Sequence, residues 1–166
     1  MLYSYKNSYP EELPYRIRLS DGRTRTDSTT FTEAEIEDAG YMPVADPPII
    51  SENEVLSWNG SMWEVRNKTS EELQADLDKK IAEYDAVLTN YLDSVAQQKK
   101  YDNRITCALR AGYAGPFQVE GTTFASWMDQ CNYQAYQLLD QVIAGIIPEP
   151  TIEEFIASLP AFTWPE

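Results

Sequence analysis

A chain of 166 residues is long enough for one domain, or for a small domain with an appendage, and its 43% hydrophobic and 12% aromatic content excludes global disorder. No run approaches the roughly 18 consecutive apolar residues that a membrane span needs. The net charge of −14 is uneven: residues 1–110 hold all 13 Lys and Arg with 20 acids, whereas residues 111–166 hold seven acids and no base. Such a balance repels phosphate backbones and disfavours nucleic-acid binding, leaving solubility or a basic protein partner as its use.

The opening Met1–Lys6 lacks the apolar core of a secretory signal, so synthesis and retention in a cytoplasm are expected. Tyr15–Ser20, Asp21-Gly22 and Arg23–Thr26 read as a β-hairpin, since alternation around Asp-Gly is a strong hairpin signal. A two-residue turn there places Arg18 opposite Arg25, an unfavourable pairing unless neighbouring acids neutralise it. Thr32-Glu33-Ala34-Glu35 is a capping box that opens a short helix, and Gly40 closes it. Pro43, Pro47 and Pro48 predict an extended connector. A second hairpin follows, with Glu54–Trp58 against Ser61–Val65 around Asn59-Gly60, and it sets Leu56, Trp58, Trp63 and Val65 on one face.

Thr69-Ser70-Glu71-Glu72 is a further capping box. Beyond it Leu77, Ile81, Tyr84, Leu88, Tyr91 and Val95 follow the 4,3 alternation of a heptad stripe. The sequence is compatible with one helix from Ser70 to about Arg110, roughly 60 Å at about 1.5 Å per residue, with a kink at Asp102-Asn103 as the alternative. Gly112, Gly115 and Pro116 end it, Phe117–Gly121 reads as an extended loop, and a second helix is expected from Thr122 or Thr123 to about Gly145. Its stripe is Phe124, Met128, Cys131, Ala135, Leu138 and Val142. The two should fold back as an antiparallel hairpin, with the start of the longer first helix in need of cover from elsewhere. Pro148-Glu149-Pro150, a capping box at Thr151–Glu154 and a short helix to Leu159 lead to a tail in which Phe162 and Trp164 either tuck onto the domain or anchor a neighbour. The fold class is therefore α+β. Three segments are expected: a β-rich part over 1–68, a helical hairpin over 69–147, and a short helix with an aromatic tail over 148–166.

General acid–base and nucleophilic schemes draw most often on histidine, and the chain has none. Two acids suffice for a glycosidase, but among 27 acids such pairs arise by chance. Phosphate-loop, dinucleotide and calcium-loop patterns do not occur. Cys107 and Cys131 are too few ligands for a structural zinc site; they read as buried reduced thiols, although two facing helices would be able to bring them together. The expectation is a non-enzymatic protein with no catalytic residue, cofactor or metal, whose interface residues are Leu73, Leu77, Ile81, Tyr84 and Leu88, the pair Trp58 and Trp63, and the pair Phe162 and Trp164.

The segment order carries a resemblance. Phe31-Thr32-Glu33-Ala34-Glu35-Ile36, then Ala39-Gly40-Tyr41-Met42-Pro43-Val44, then Trp63-Glu64-Val65-Arg66-Asn67-Lys68-Thr69-Ser70-Glu71-Glu72-Leu73 resemble small bacteriophage tail-associated proteins of the tail-fibre and tail-fibre-assembly type, over about residues 13–85. The resemblance implies a virion component in the tail, made in the host cytoplasm, that contacts fibre, baseplate or adaptor proteins and forms a homo-oligomer such as a trimer. It also admits an assembly chaperone that leaves the particle. Charge alone supports a third reading, an acidic inhibitor or nucleic-acid mimic directed at a basic host protein.

Overall fold

The computed structural model describes residues 1–166 and begins with a strand, β1 (Leu2–Tyr5). Its partner comes from the stretch expected as a connector: β4 (Tyr41–Val44) pairs antiparallel with it, Leu2 opposite Val44 and Tyr5 opposite Tyr41. Pro43 is tolerated there because it faces Tyr3, whose own N–H and C=O turn the other way, to Glu11, at 2.8 and 3.0 Å. A proline lacks only a donor that this position does not use. The expected connector is thus confined to the residues after Val44.

The first hairpin pairs β2 (Arg16–Arg18) with β3 (Thr24–Thr26), but in a register that corrects the expected one. Arg18 stands opposite Thr24, and Arg25 stands opposite Ile17. The loop holds three residues, not two: Gly22 donates to Leu19 O at 3.0 Å with φ +88°, and Asp21 accepts from the Arg23 N–H at 2.9 Å. A tight turn followed by one left-handed glycine is the favoured three-residue hairpin. The shift separates the arginines, and Arg25 pairs instead with Glu35 at 3.2 Å. Ile17 and Leu19 are buried, as is Ile36 of α1 (Glu33–Asp38), the helix that Thr32 caps with both hydrogen bonds of the capping box. Asp38 at the end of α1 ties back to the hairpin by accepting from the Ser20 N–H and hydroxyl at 2.8 and 2.5 Å.

The second hairpin, β5 (Glu54–Trp58) and β6 (Trp63–Asn67), also turns one residue later than expected, around Gly60-Ser61. Asn59 explains the displacement. Its Oδ1 accepts from the backbone N–H groups of Ser61 and Met62, so it forms the shoulder of the turn and not its corner. The later turn shifts the register, so Leu56 faces Val65 and Trp58 faces Trp63, but the four side chains keep the one face expected for them.

Helix α2 (Ser70–Gln97) is capped by Thr69, which accepts from the Glu72 N–H at 3.2 Å while Glu72 accepts from the Thr69 N–H at 2.8 Å. It spans about 42 Å at about 1.5 Å per residue, shorter than the continuous helix considered from sequence. The chain breaks at Lys100, whose φ is +63°, and restarts as α3 (Arg104–Ala108) under an Asn103–Thr106 capping box. Asp93 holds the restart by accepting from the Arg104 N–H at 2.8 Å and from its guanidinium at 3.1 Å. A 3₁₀ turn, Leu109–Gly112, precedes α4 (Gln118–Ile143). The expected loop over 118–121 is therefore the first turn of α4. α5 (Ile152–Ser158), capped by Thr151, precedes the tail.

Two compact units result, Met1–Ala75 and Asp76–Glu166, with the boundary inside α2. In the second unit α2 and α4 run antiparallel. Lys99 reaches Glu120 at 3.3 Å and the rings of Tyr91 and Trp127 lie 5.8 Å apart, while Tyr84 meets Phe155 of α5 at 5.3 Å. Its core joins Leu88, Leu92, Val95 and Ala96 of α2 with Cys107, Phe124, Trp127, Cys131, Phe155 and Leu159. Both cysteines are free and buried. No helix is long and apolar enough to cross a membrane.

Candidate protein interface

The nine residues singled out from sequence fall into three places. The first is the start of α2. Leu73 is 42% exposed, Leu77 and Ile81 are half-buried, and Leu88 is a buried core residue. Tyr84 is covered from within the chain: its ring sits edge-on to Phe155, and its hydroxyl donates to the Pro150 carbonyl. Lys80 pairs with Glu149 beside it. Two corrections follow. α2 and α4 are of nearly equal length, 28 and 26 residues, so the expected excess of several turns in the first helix does not exist. The cover for Tyr84 comes from Pro150 and Phe155 of the same unit, and Leu88 lies within the core, which leaves Leu73, Leu77 and Ile81 as the open part of the stripe.

Local chemistry fixes that first turn firmly. Arg66 of β6 grips Glu72 with two parallel hydrogen bonds, at 2.6 and 2.7 Å. This paired contact, with the Thr69 N–H, pulls the Glu72 carboxyl down to about 2. Glu72 also caps α2, so one carboxylate joins the end of the second hairpin to the beginning of the helix. Leu73 follows it directly and is presented on a held turn.

The second place is the tryptophan hairpin. Trp58 and Trp63 meet edge to face at 5.3 Å, and Tyr9 meets Trp63 at the same distance. Both indole N–H groups are committed to backbone carbonyls, Trp58 to Asn7 at 3.2 Å and Trp63 to Ala45 at 2.8 Å. The pair therefore stitches the N-terminal turn and the connector after β4 to the ribbon, the local-core role that a two-tryptophan face usually has. Both rings remain half-exposed.

The third place is the tail, and here the two alternatives resolve. Phe162 lies 4.6 Å from Trp127 and 5.7 Å from Phe124, and Trp164 stacks on Phe124 at 5.9 Å. The Trp127 indole donates to the Pro160 carbonyl at 2.7 Å, and the Trp164 indole donates to Gln98 at 3.2 Å. The tail is tucked onto its own unit. Phe162 and Trp164 are part of its packing, which removes them as free anchors for a neighbour.

Other groups are accounted for internally. Burial pushes the thiols of Cys107 and Cys131 up to about 11, with Glu120 adding to the effect at Cys107. Burial and donation to Glu120 raise Tyr101 to about 12. A cavity of about 270 Å³ is lined by Lys100, Tyr101, Asp102, Thr106, Leu109, Arg110 and Tyr113, with Arg110 already hydrogen-bonded to the Tyr113 hydroxyl. No three His, Cys, Asp or Glu side chains gather as a metal site.

Two features escaped the sequence reading. The stripe of α2 that is buried includes Leu92 and Ala96, one position aside from the heptad series. The far side of α4 leaves Tyr133, Tyr136 and Ile143 well exposed. Their 4,3 spacing with Asp129 and Asp140 was present in the sequence, overshadowed by the more apolar stripe on the other side of the helix. No protein-family model, curated protein or solved structure matches the chain.

Proposed function

We propose that this chain is a non-enzymatic structural component of a bacteriophage tail, in the fibre or baseplate region, which holds a neighbouring tail protein through the start of α2. The observation that carries the reading is the open stripe itself. Leu73, Leu77 and Ile81 stay at least partly exposed on a helix whose later half buries Leu88, Leu92, Val95 and Ala96, and the stripe begins on a turn locked by Arg66 and Glu72. A fixed apolar ridge of this kind suits burial against a second protein. The same stretch lies within residues 13–85, where the resemblance to small tail-associated proteins is carried.

The test is incorporation of altered chains into particles. Leu73→Asp with Leu77→Asp places charges on the open stripe without entering the core of either unit. Incorporation should fall at least tenfold while the isolated protein keeps its melting temperature, since an unpaired charge buried in a contact costs well over 1.4 kcal/mol. Ile81→Val should be tolerated. Normal incorporation of the double variant would refute the assignment of this surface. Leu88→Asp is unsuitable as a probe, because Leu88 is core and its loss would unfold the unit.

A further inference from the structure

The outward face of α4 carries a second ordered pattern. Asp129, Tyr133, Tyr136, Asp140 and Ile143 are spaced 4, 3, 4 and 3, so they form one ridge along the helix. The opposite side holds Phe124, Trp127 and Cys131 in the core. On the ridge, Tyr133 and Tyr136 are each 66% exposed and Ile143 is 57% exposed, and both aspartates are exposed and outside every ion pair of the chain. No lysine or arginine lies anywhere between residues 111 and 166 to neutralise them.

We infer that this ridge docks an amphipathic helix of another protein, one whose apolar stripe is flanked by arginine or lysine. The chemistry points to that occupant on three counts. A ridge with 4,3 spacing is complementary to the grooves of another helix. Exposed tyrosine faces attract cations, and free carboxylates beside them offer arginine a two-pronged partner, so one guanidinium satisfies both. A second copy of the chain fits poorly, because it would bring the same two aspartates and a net charge of −14 to the contact. This surface is separate from the start of α2 and does not depend on the tail reading.

The experiment uses the full chain and two synthetic helical peptides of about three heptads, with identical apolar stripes and either arginine or glutamate flanks. Fluorescence anisotropy measures binding at low and at moderate salt. The arginine peptide should bind and weaken as salt rises, and the glutamate peptide should not bind. Tyr133→Ser with Tyr136→Ser, which leaves the charge unchanged, should weaken the arginine peptide roughly tenfold. Asp129→Asn with Asp140→Asn should weaken it and flatten its salt dependence. Cross-saturation NMR on the unmodified chain should place the bound peptide on α4, and this readout holds even if a variant loses its fold. Equal binding by the tyrosine variant, equal binding by the glutamate peptide, or saturation confined to other helices would overturn the proposal. So would light scattering that shows a dimer dispersed by the tyrosine substitutions, which would assign the face to a second copy.

Discussion

Gly121 sits in the first turn of α4, and replacing it with alanine sets two physical effects against each other. An alanine in a helix is favoured over glycine by about 1 kcal/mol, so helix propensity alone predicts a more stable protein. The packing predicts the reverse. A Cβ at Gly121 would stand 2.6 Å from the Ala111 nitrogen, 2.7 Å from the Arg110 Cβ and 2.8 Å from the Arg110 carbonyl carbon. None of these is the end of a flexible side chain, so the 3₁₀ turn and α4 must move apart by most of an ångström, opening the packing beside Cys107 and Phe124. Overpacking of this kind costs about 1–3 kcal/mol, and contacts this short with backbone belong at or above the upper end. After the propensity gain is set against it, a net loss of about 2 kcal/mol is expected. For a unit of this size that is on the order of 10 °C in melting temperature. Thermal melts followed by near-ultraviolet circular dichroism, which reports Trp127 and Trp164, would read it. Gly112→Ala provides the control, since a Cβ there meets nothing within 4 Å, and it should stay within about 0.5 kcal/mol of the parent. A Gly121→Ala protein that melts at or above the parent would refute the close approach of the two segments.

Cys107 and Cys131, held at about 11 by burial, should react with a thiol reagent at pH 8 orders of magnitude more slowly in the folded chain than in denaturant; equal rates would contradict their burial. Raised folded values mean that the stabilising contribution of these thiols is complete below their ordinary value of 9.0 and is lost as pH climbs through about 11, with Tyr101 adding a loss between 10.0 and about 12. Alkaline unfolding of the second unit should therefore begin near pH 9, and a flat melting temperature from pH 8 to 11 would contradict it. Glu72 titrates in the opposite sense: its contribution is present above the ordinary value of 4.5 and is lost as pH falls through about 2. NMR titration of its carboxyl carbon should give a midpoint near 2 that returns towards 4.5 in Arg66→Ala, and a parent midpoint near 4.5 would rule out the clamp. At Lys100, where φ is +63°, glycine and valine should separate by more than about 1 kcal/mol, glycine being the more stable. Chemical denaturation measures that gap, and the reverse order would mean that Lys100 is not left-handed.

The features legible in the sequence were local ones. Thr32, Thr69 and Thr151 cap their helices as the sequence pattern indicates, because a capping box is decided within four residues. The class of fold was legible too, and so was the shared face of Leu56, Trp58, Trp63 and Val65, although the turn expected at Asn59-Gly60 would have set Trp58 opposite Ser61 and not Trp63. What was missed needed partners distant in sequence, or side chains competing with the backbone. β1 meets β4 across some forty residues, and Pro43 argues against a strand unless one knows that Tyr3 has turned its polar groups to Glu11. The turns at Asp21 and Asn59 each moved because a short polar side chain captured backbone N–H groups. The interruption of the first long helix was legible only as the alternative of a kink at Asp102-Asn103, where Asn103 does cap α3; that the helix ends as early as Gln97, with Lys100 left-handed, had no glycine or proline to mark it. Gly121 was read as a loop signal, whereas its lack of a side chain serves the close approach to Arg110 and Ala111. In the interface, the apolar stripe of α2 was visible, but which part stays open depended on Glu149, Pro150 and Phe155 folding back over Tyr84.

The central claim is that the chain is a resident part of a phage tail, and copy number in the particle tests it most directly. On that proposal, quantitative mass spectrometry of purified tailed-phage virions should find this chain in a fixed ratio to a known tail protein, set by the symmetry of the tail. Its absence from particles that still carry complete fibres would contradict the claim and assign the chain to assembly or to another role.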